Sequence, residues 1–162
     1  MQISKEAVAP LGLVPLAEGC DLLLFPEDRE ALRSYRPPDE PRYALVASID
    51  GITHLRRDVV SLLCEEDGDR TMYGERGPLT LGGVQDLSNH ALLDRGRLVG
   101  LWEYDPAAGR IAWTSFVPRT PAMEAAVTRT EAYVRDQLGD ARSFSLDSAE
   151  SRRPRIEALR AA

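Results

Sequence analysis

Only four side chains in this 162-residue sequence could supply a neutral base, a thiolate or a soft metal ligand near neutral pH: His54, His90, Cys20 and Cys64. A structural zinc site needs several such ligands converging. Neither an H-x-x-x-H nor a C-x-x-C spacing occurs, so the pattern assigns no metal. A nucleophilic thiol would need Cys64 beside His54 or His90, but Cys64 closes the apolar run "SLLC" and reads as a buried, reduced thiol, as does Cys20 beside Leu22 and Leu23. Glu65, Glu66 and Asp67 fall in a glycine-bearing loop, where carboxylates are usually solvated. His90 with Asp94 is the remaining acid–base pair. No G-x-G-x-x-G, P-loop or G-x-S-x-G occurs, which excludes the nucleotide-binding turn and the hydrolase elbow. No catalytic residue and no cofactor is assigned.

The arginines offer binding chemistry instead. Arg95, Arg97 and Arg110 stand at two adjoining loops and could converge on one anion, a phosphate or a partner's carboxylates. Together with Trp102 and His90 they are the candidate binding residues, although charges that guard sheet edges explain the arginines equally well. Arg152, Arg153, Arg155 and Arg160 read as the solvated face of a helix. A net charge of −6 repels phosphate backbones at long range, so direct nucleic-acid binding would need a local basic patch.

The elements that must carry these residues follow from pattern. The length suits one core, and the division expected is an irregular lead-in or linker over 1–19, rich in proline and glycine, followed by a single domain over 20–162. Asp21–Phe25 reads as a buried strand closed by Pro26, and Glu27–Tyr35 as about two turns of helix ended by Pro37, Pro38 and Pro41. Tyr43–Ile49 alternates with period two, and Asp50-Gly51 suggests a hairpin returning through Ile52–Leu55. Asp58 reads as the cap of a helical "VVSLLC", with a strand as the alternative. "CEEDGDRTMYGERGPLTLGG" holds five glycines and reads as a surface loop or loose hairpin. The N-terminus lacks the continuous apolar stretch of a secretory signal, and no segment has the run of about 18 apolar residues that spans a bilayer. A cytoplasmic protein without a membrane partner is expected.

The most patterned stretch is His90–Phe116, "HALLDRGRLVGLWEYDPAAGRIAWTSF". Turn residues at Asp94-Arg95-Gly96 and Asp105–Gly109 divide it into a three-stranded meander. Strict alternation places Leu98, Gly100, Trp102 and Tyr104 on one face, and Val99, Leu101 and Glu103 on the other. Gly100 implies a close neighbour, an aromatic ring or another backbone. Thr120-Pro121 then caps a helix running to Leu138, whose stripe Met123, Val127, Thr130, Val134 and Leu138 faces the sheet; Gly139 stops it. "RSFSLDS" adds a strand through Phe144 and Leu146, and Pro154 opens a short last helix. The fold class is α+β, an antiparallel sheet or small, partly closed barrel packed by the helix of about 121–138.

"LLLFPED", "LLDRGRLVGLWEYD" and "IAWTSF" followed by a long helix resemble the C-terminal region of winged-helix DNA-binding proteins that include the AlkZ-type bacterial DNA glycosylases. That family's strand end of two leucines, proline and an acid precedes a hairpin of the form D-G-x-V-V-G-x-W. Asp94, Gly96, Arg97, Leu98, Val99, Gly100 and Trp102 approximate it. The resemblance covers roughly residues 21–139. It implies a scaffold domain that meets DNA through a companion winged-helix domain, with Trp102, Arg95 and Arg97 on the working surface. The family's catalytic Gln-x-Gln or Gln-x-Asp is missing: Gln2, Gln85 and Gln137 do not fit it. The expected function is therefore that of a non-catalytic accessory domain. The alternative is an independent small-molecule or protein-partner domain with a cleft between meander and helix, a homodimer being the other partnership considered.

Overall fold

The computed structural model describes residues 9–55, 57–74, 77–143 and 147–162. It divides the chain into two compact units, Met1–Pro38 and Asp39–Ala162. The boundary between these units falls at the proline-rich segment. Pro37, Pro38 and Pro41 each fix φ and bias the residue before them to extended backbone, which separates the units.

In the first unit a two-residue ladder pairs β1 (Val14–Pro15) with β2 (Leu23–Leu24), followed by helix α1 (Asp28–Ser34). The expected irregular lead-in thus supplies a strand. The expected buried strand over Asp21–Phe25 is shorter and exposed: Leu22, Leu23 and Phe25 all stand in solvent.

The second unit is α+β. Its sheet runs in the order β3 (Tyr43–Val46), β6 (His90–Asp94), β7 (Arg97–Asp105), β8 (Arg110–Ser115), antiparallel throughout. The sheet is open, with β3 and β8 as edges, so the barrel alternative is set aside. β3 does not form the expected hairpin with residues 52–55. Gly51 is not among the glycines with positive φ, which a two-residue hairpin turn demands, and Gly51–Leu55 coils instead as a wide helical turn. The Thr53 hydroxyl ties that turn to the carbonyls of Ala47 and Ser48 at 3.0 and 2.9 Å. By contrast Arg95 and Gly96 take φ of 51° and 86°, as a primed turn joining β6 to β7 requires. Between β3 and β6 lie a 3₁₀ turn (Val60–Leu62), where Asp58 accepts from the Ser61 amide, and the hairpin β4 (Thr71–Gly74) with β5 (Gly77–Thr80).

Register corrects one face assignment. Leu92 pairs with Gly100 but Leu93 pairs with Leu98, so Val99 is the extra residue of a bulge. Alternation flips there. Leu98 shares a face with Leu101 and Ala112, while Trp102, Tyr104 and Ile111 share the other. The close neighbour of Gly100 is backbone: a Cβ there would overlap the Thr114 carbonyl oxygen.

A helix covers each face. Helix α2 (Pro121–Tyr133) starts where the Thr120 hydroxyl accepts from the Met123 amide and continues as one wider turn, Val134–Leu138, to Gly139 at φ 74°. It buries Met123, Ala126, Val127 and Val134 against Trp102, Tyr104 and Val99; Leu138, expected in that stripe, is exposed. Helix α3 (Ala149–Ala161) begins five residues before Pro154, at a capping box of Ser148 and Ser151. Ile156 and Leu159 join Leu98, Leu101 and Met72 in the second core. The strand expected through Phe144 and Leu146 lies outside the described residues. No described helix is long and apolar enough to cross a membrane.

Replacing Gly100 by alanine forces β8 to move. Gly100→Ala is expected to destabilise the sheet by about 1–3 kcal/mol, the usual effect of overpacking. The measurement is the urea midpoint at unchanged slope.

Candidate functional site

The face beneath α3 holds a polar cluster that charge patterning alone does not announce. Glu103 is the one acid along the buried part of β7, with no exposed surface, and it points at the helix. Arg152 and Arg155 are spaced three apart on α3, on the stripe that also carries Ile156 and Leu159, so they face inward and are 1% exposed. The expected solvated face is therefore wrong for these two. It holds for Arg153, whose side chain is 63% exposed, and Arg160, at 52%.

Burial of two guanidinium groups demands anions. Nε of Arg155 donates to Glu103 Oε1 at 2.8 Å and its NH2 donates to Asp147 Oδ2 at 2.7 Å. Arg152 forms a two-pronged pair with Asp140 at 2.8 and 3.0 Å and donates to the Ala141 carbonyl at 2.9 Å. Asp147 also accepts from the Ser151 hydroxyl at 2.9 Å, which couples the cluster to the cap of α3. Asn89 Nδ2 donates to Glu103 Oε1 at 3.1 Å. Desolvation pushes the Glu103 carboxyl up to about 7, opposed by Arg155. Desolvation also works against the charge of Arg155, but Glu103 and Asp147 outweigh it and raise its pKa. For Asp140, too, burial is outweighed: hydrogen bonds from Arg152 and Arg142 hold it below the ordinary carboxylate range.

The sequence-derived candidates do not assemble. Arg95 and Arg97 sit at the β6–β7 turn, and Arg110 at the far end of β7, roughly 26 Å along a nine-residue strand. They cannot hold one anion. Arg95 donates to the Asp94 carboxylate at 3.0 Å and to the Asp39 carbonyl at 2.9 Å. Trp102 is 3% exposed and its indole N–H donates to the Ala91 carbonyl at 3.1 Å, so it lies in the core and on no surface. His90 is fully buried, stacked on Trp102 with ring centres 4.3 Å apart, and its Nδ1 accepts from the Ser48 amide at 2.9 Å. His90 and Asp94 occupy opposite ends of β6, which removes them as an acid–base pair. Burial lowers the imidazole to about 4, with the Ala141 carbonyl acting the other way.

Cys64 is half-buried and free, and desolvation raises its thiol against the opposing charge of Arg97, the reverse of an activated nucleophile. Among the described residues no group of three potential metal ligands converges. The cleft expected between meander and α2 is filled by Trp102, Tyr104, Val127 and Val134. A small cleft of about 40 Å³ lies on the other side, lined by Tyr73, Asn89, Thr114, Arg155 and Leu159 among others. It holds a water or two and not a metabolite. Set against known protein families, curated proteins and solved structures, the chain finds no match.

The network thus anchors α3 on the sheet. Arg155→Ala strands buried Asp147 and takes a donor from buried Glu103, and is expected to cost about 3–5 kcal/mol, whereas Arg153→Ala stays within about 0.5 kcal/mol, both by chemical denaturation. A second expectation concerns His90. Its folded pKa of about 4 lies below the ordinary 6.5, so the unfolded chain binds the extra proton between those values and stability rises with pH across that window. Relative to His90→Asn, the wild type gains on the order of 3 kcal/mol from pH 4 to pH 6.5.

Proposed function

We propose that the chain is a non-catalytic accessory domain that holds a companion winged-helix DNA-binding domain. The observation that carries this reading is the apolar exposure of the first unit. Between residues 9 and 38 no side chain is buried, yet Leu11, Leu16, Leu22, Leu23, Phe25, Leu32 and Tyr35 are all at least 40% exposed. Scattered single leucines are ordinary on a surface, but seven large apolar side chains within thirty residues are the mark of a segment that docks. The hairpin likeness over Asp94–Trp102 favours a winged-helix module as the occupant.

Charge supports a scaffold over direct DNA contact. The net charge is −6, and four of the surface arginines are answered by acids: Arg57 by Asp86, Arg95 by Asp94, Arg135 by Asp136 and Arg160 by Asp105. Such pairs leave little positive field for a phosphate backbone. The small-molecule alternative is disfavoured at the place expected for it, because Trp102, Tyr104, Val127 and Val134 fill the space between meander and α2.

Amide hydrogen exchange tests the reading. A purified tandem winged-helix fragment of the resembling family is expected to slow exchange across residues 14–35, and Leu22→Lys combined with Phe25→Lys to abolish the slowing. Exchange unaltered by the fragment removes the proposal. Protection by duplex DNA alone at low salt replaces it with direct binding.

A further inference from the structure

Two atoms of the buried network have no hydrogen-bond partner among the described residues, and they belong to residues already bonded to each other. Glu103 Oε1 accepts from both Arg155 Nε at 2.8 Å and Asn89 Nδ2 at 3.1 Å, while Glu103 Oε2 and Asn89 Oδ1 are buried and unsatisfied. As a carboxylate and an amide, these two oxygens are both acceptors. Neither can serve the other. One proton on Oε2 changes that, because a carboxylic acid and a primary amide form a cyclic pair in which the N–H donates to one oxygen and the O–H donates back.

The buried Oε2 meets no donor, so a negative charge on Glu103 is answered only through Oε1, and a proton on Oε2 removes the cost of an unsatisfied, desolvated anionic oxygen. The charged groups that face Glu103 are Arg155 and Arg152 from α3 and Asp147 from the segment before it. Ala112 pairs with it from β8, and on the β6 side Asn89 is its neighbour; neither is charged. His90 lies on the opposite face of the sheet, against Trp102.

We propose that Glu103 is held as a neutral acid donating from Oε2 to Asn89 Oδ1, and that loss of this proton loosens the seat of α3 on the sheet, a pH-sensitive latch built into the fold. The value of about 7, set by burial against the pull of Arg155, accords with this. The sign follows. A carboxyl whose folded pKa is raised keeps its proton while the unfolded chain has lost it, so its contribution is complete below the ordinary 4.5 and is lost as pH rises through about 7. Over that interval the folded-to-unfolded ratio falls by up to a few hundredfold through this group alone.

Two measurements on the full chain test the latch. Infrared difference spectra should show one buried carboxylic-acid carbonyl band at pH 5.5 that fades by pH 8 and is absent from Glu103→Gln; a spectrum lacking that band overturns the proposal. In denaturation, Glu103→Gln reproduces the neutral acid with a permanent donor, so it should match the wild type near pH 5 and exceed it by pH 8. Amide exchange in α3, corrected for intrinsic rate, should accelerate above pH 7 relative to α2 in the wild type only. If the variant is weaker by the same factor at both pH values, Glu103 is an ionised partner of Arg155 and the latch does not exist.

Discussion

A guanidinium leaves water only if its charge is answered, and Arg155 is held from two directions at once: Asp147 ahead of α3 supplies an anion, and Glu103 on β7 accepts a second hydrogen bond. That double pair ties the last helix to the middle of the sheet. A purely apolar contact tolerates small sliding of a helix over a strand; two charge-assisted bonds in a planar fork allow one position. The cap of α3, the segment after α2 and the start of β6 are all joined to this point through Ser151, Ser143 and Asn89.

The sheet around it is arranged for the same purpose. The bulge at Val99 lets one strand place Leu98 and Leu101 on the same face and turn Trp102 to the other, so each helix meets apolar side chains of the same strand. Gly100 beside the bulge brings the Thr114 carbonyl within a distance no side chain tolerates, drawing β8 close to β7. Aromatic area then goes to α2, and polar anchoring to α3. A domain built this way has its buried charge committed to holding itself together. Several surface arginines are matched by acids, and the first unit carries exposed leucines.

Local pattern alone determined the meander from His90 to Ser115, the cap of α2 at Thr120 and the α+β class, because period-two alternation, turn glycines and N-cap chemistry act over a few residues, while between surface loop and hairpin for β4–β5 it left the choice open. The signal for the buried network was also present, as a lone acid within an apolar strand and two arginines three apart on a stripe shared with Ile156 and Leu159. A run of arginines at a terminus reads as solvated until a carboxylate is found to meet it. That partner, Glu103, stands 52 residues away.

Tertiary structure decided the rest. It chose β6 over residues 52–55 as the partner of β3, because strand pairing is settled by which edge is buried and not by the nearest turn dipeptide. It separated Arg95 and Arg97 from Arg110, since a hairpin sends successive turns to opposite ends of a strand. It took His90 into the core beside Trp102 and left Leu22 and Phe25 in solvent, inverting what residue type suggests for His90 and for the two apolar side chains. Which charges are buried depends on groups distant in the chain meeting in space, and no window of sequence contains that meeting.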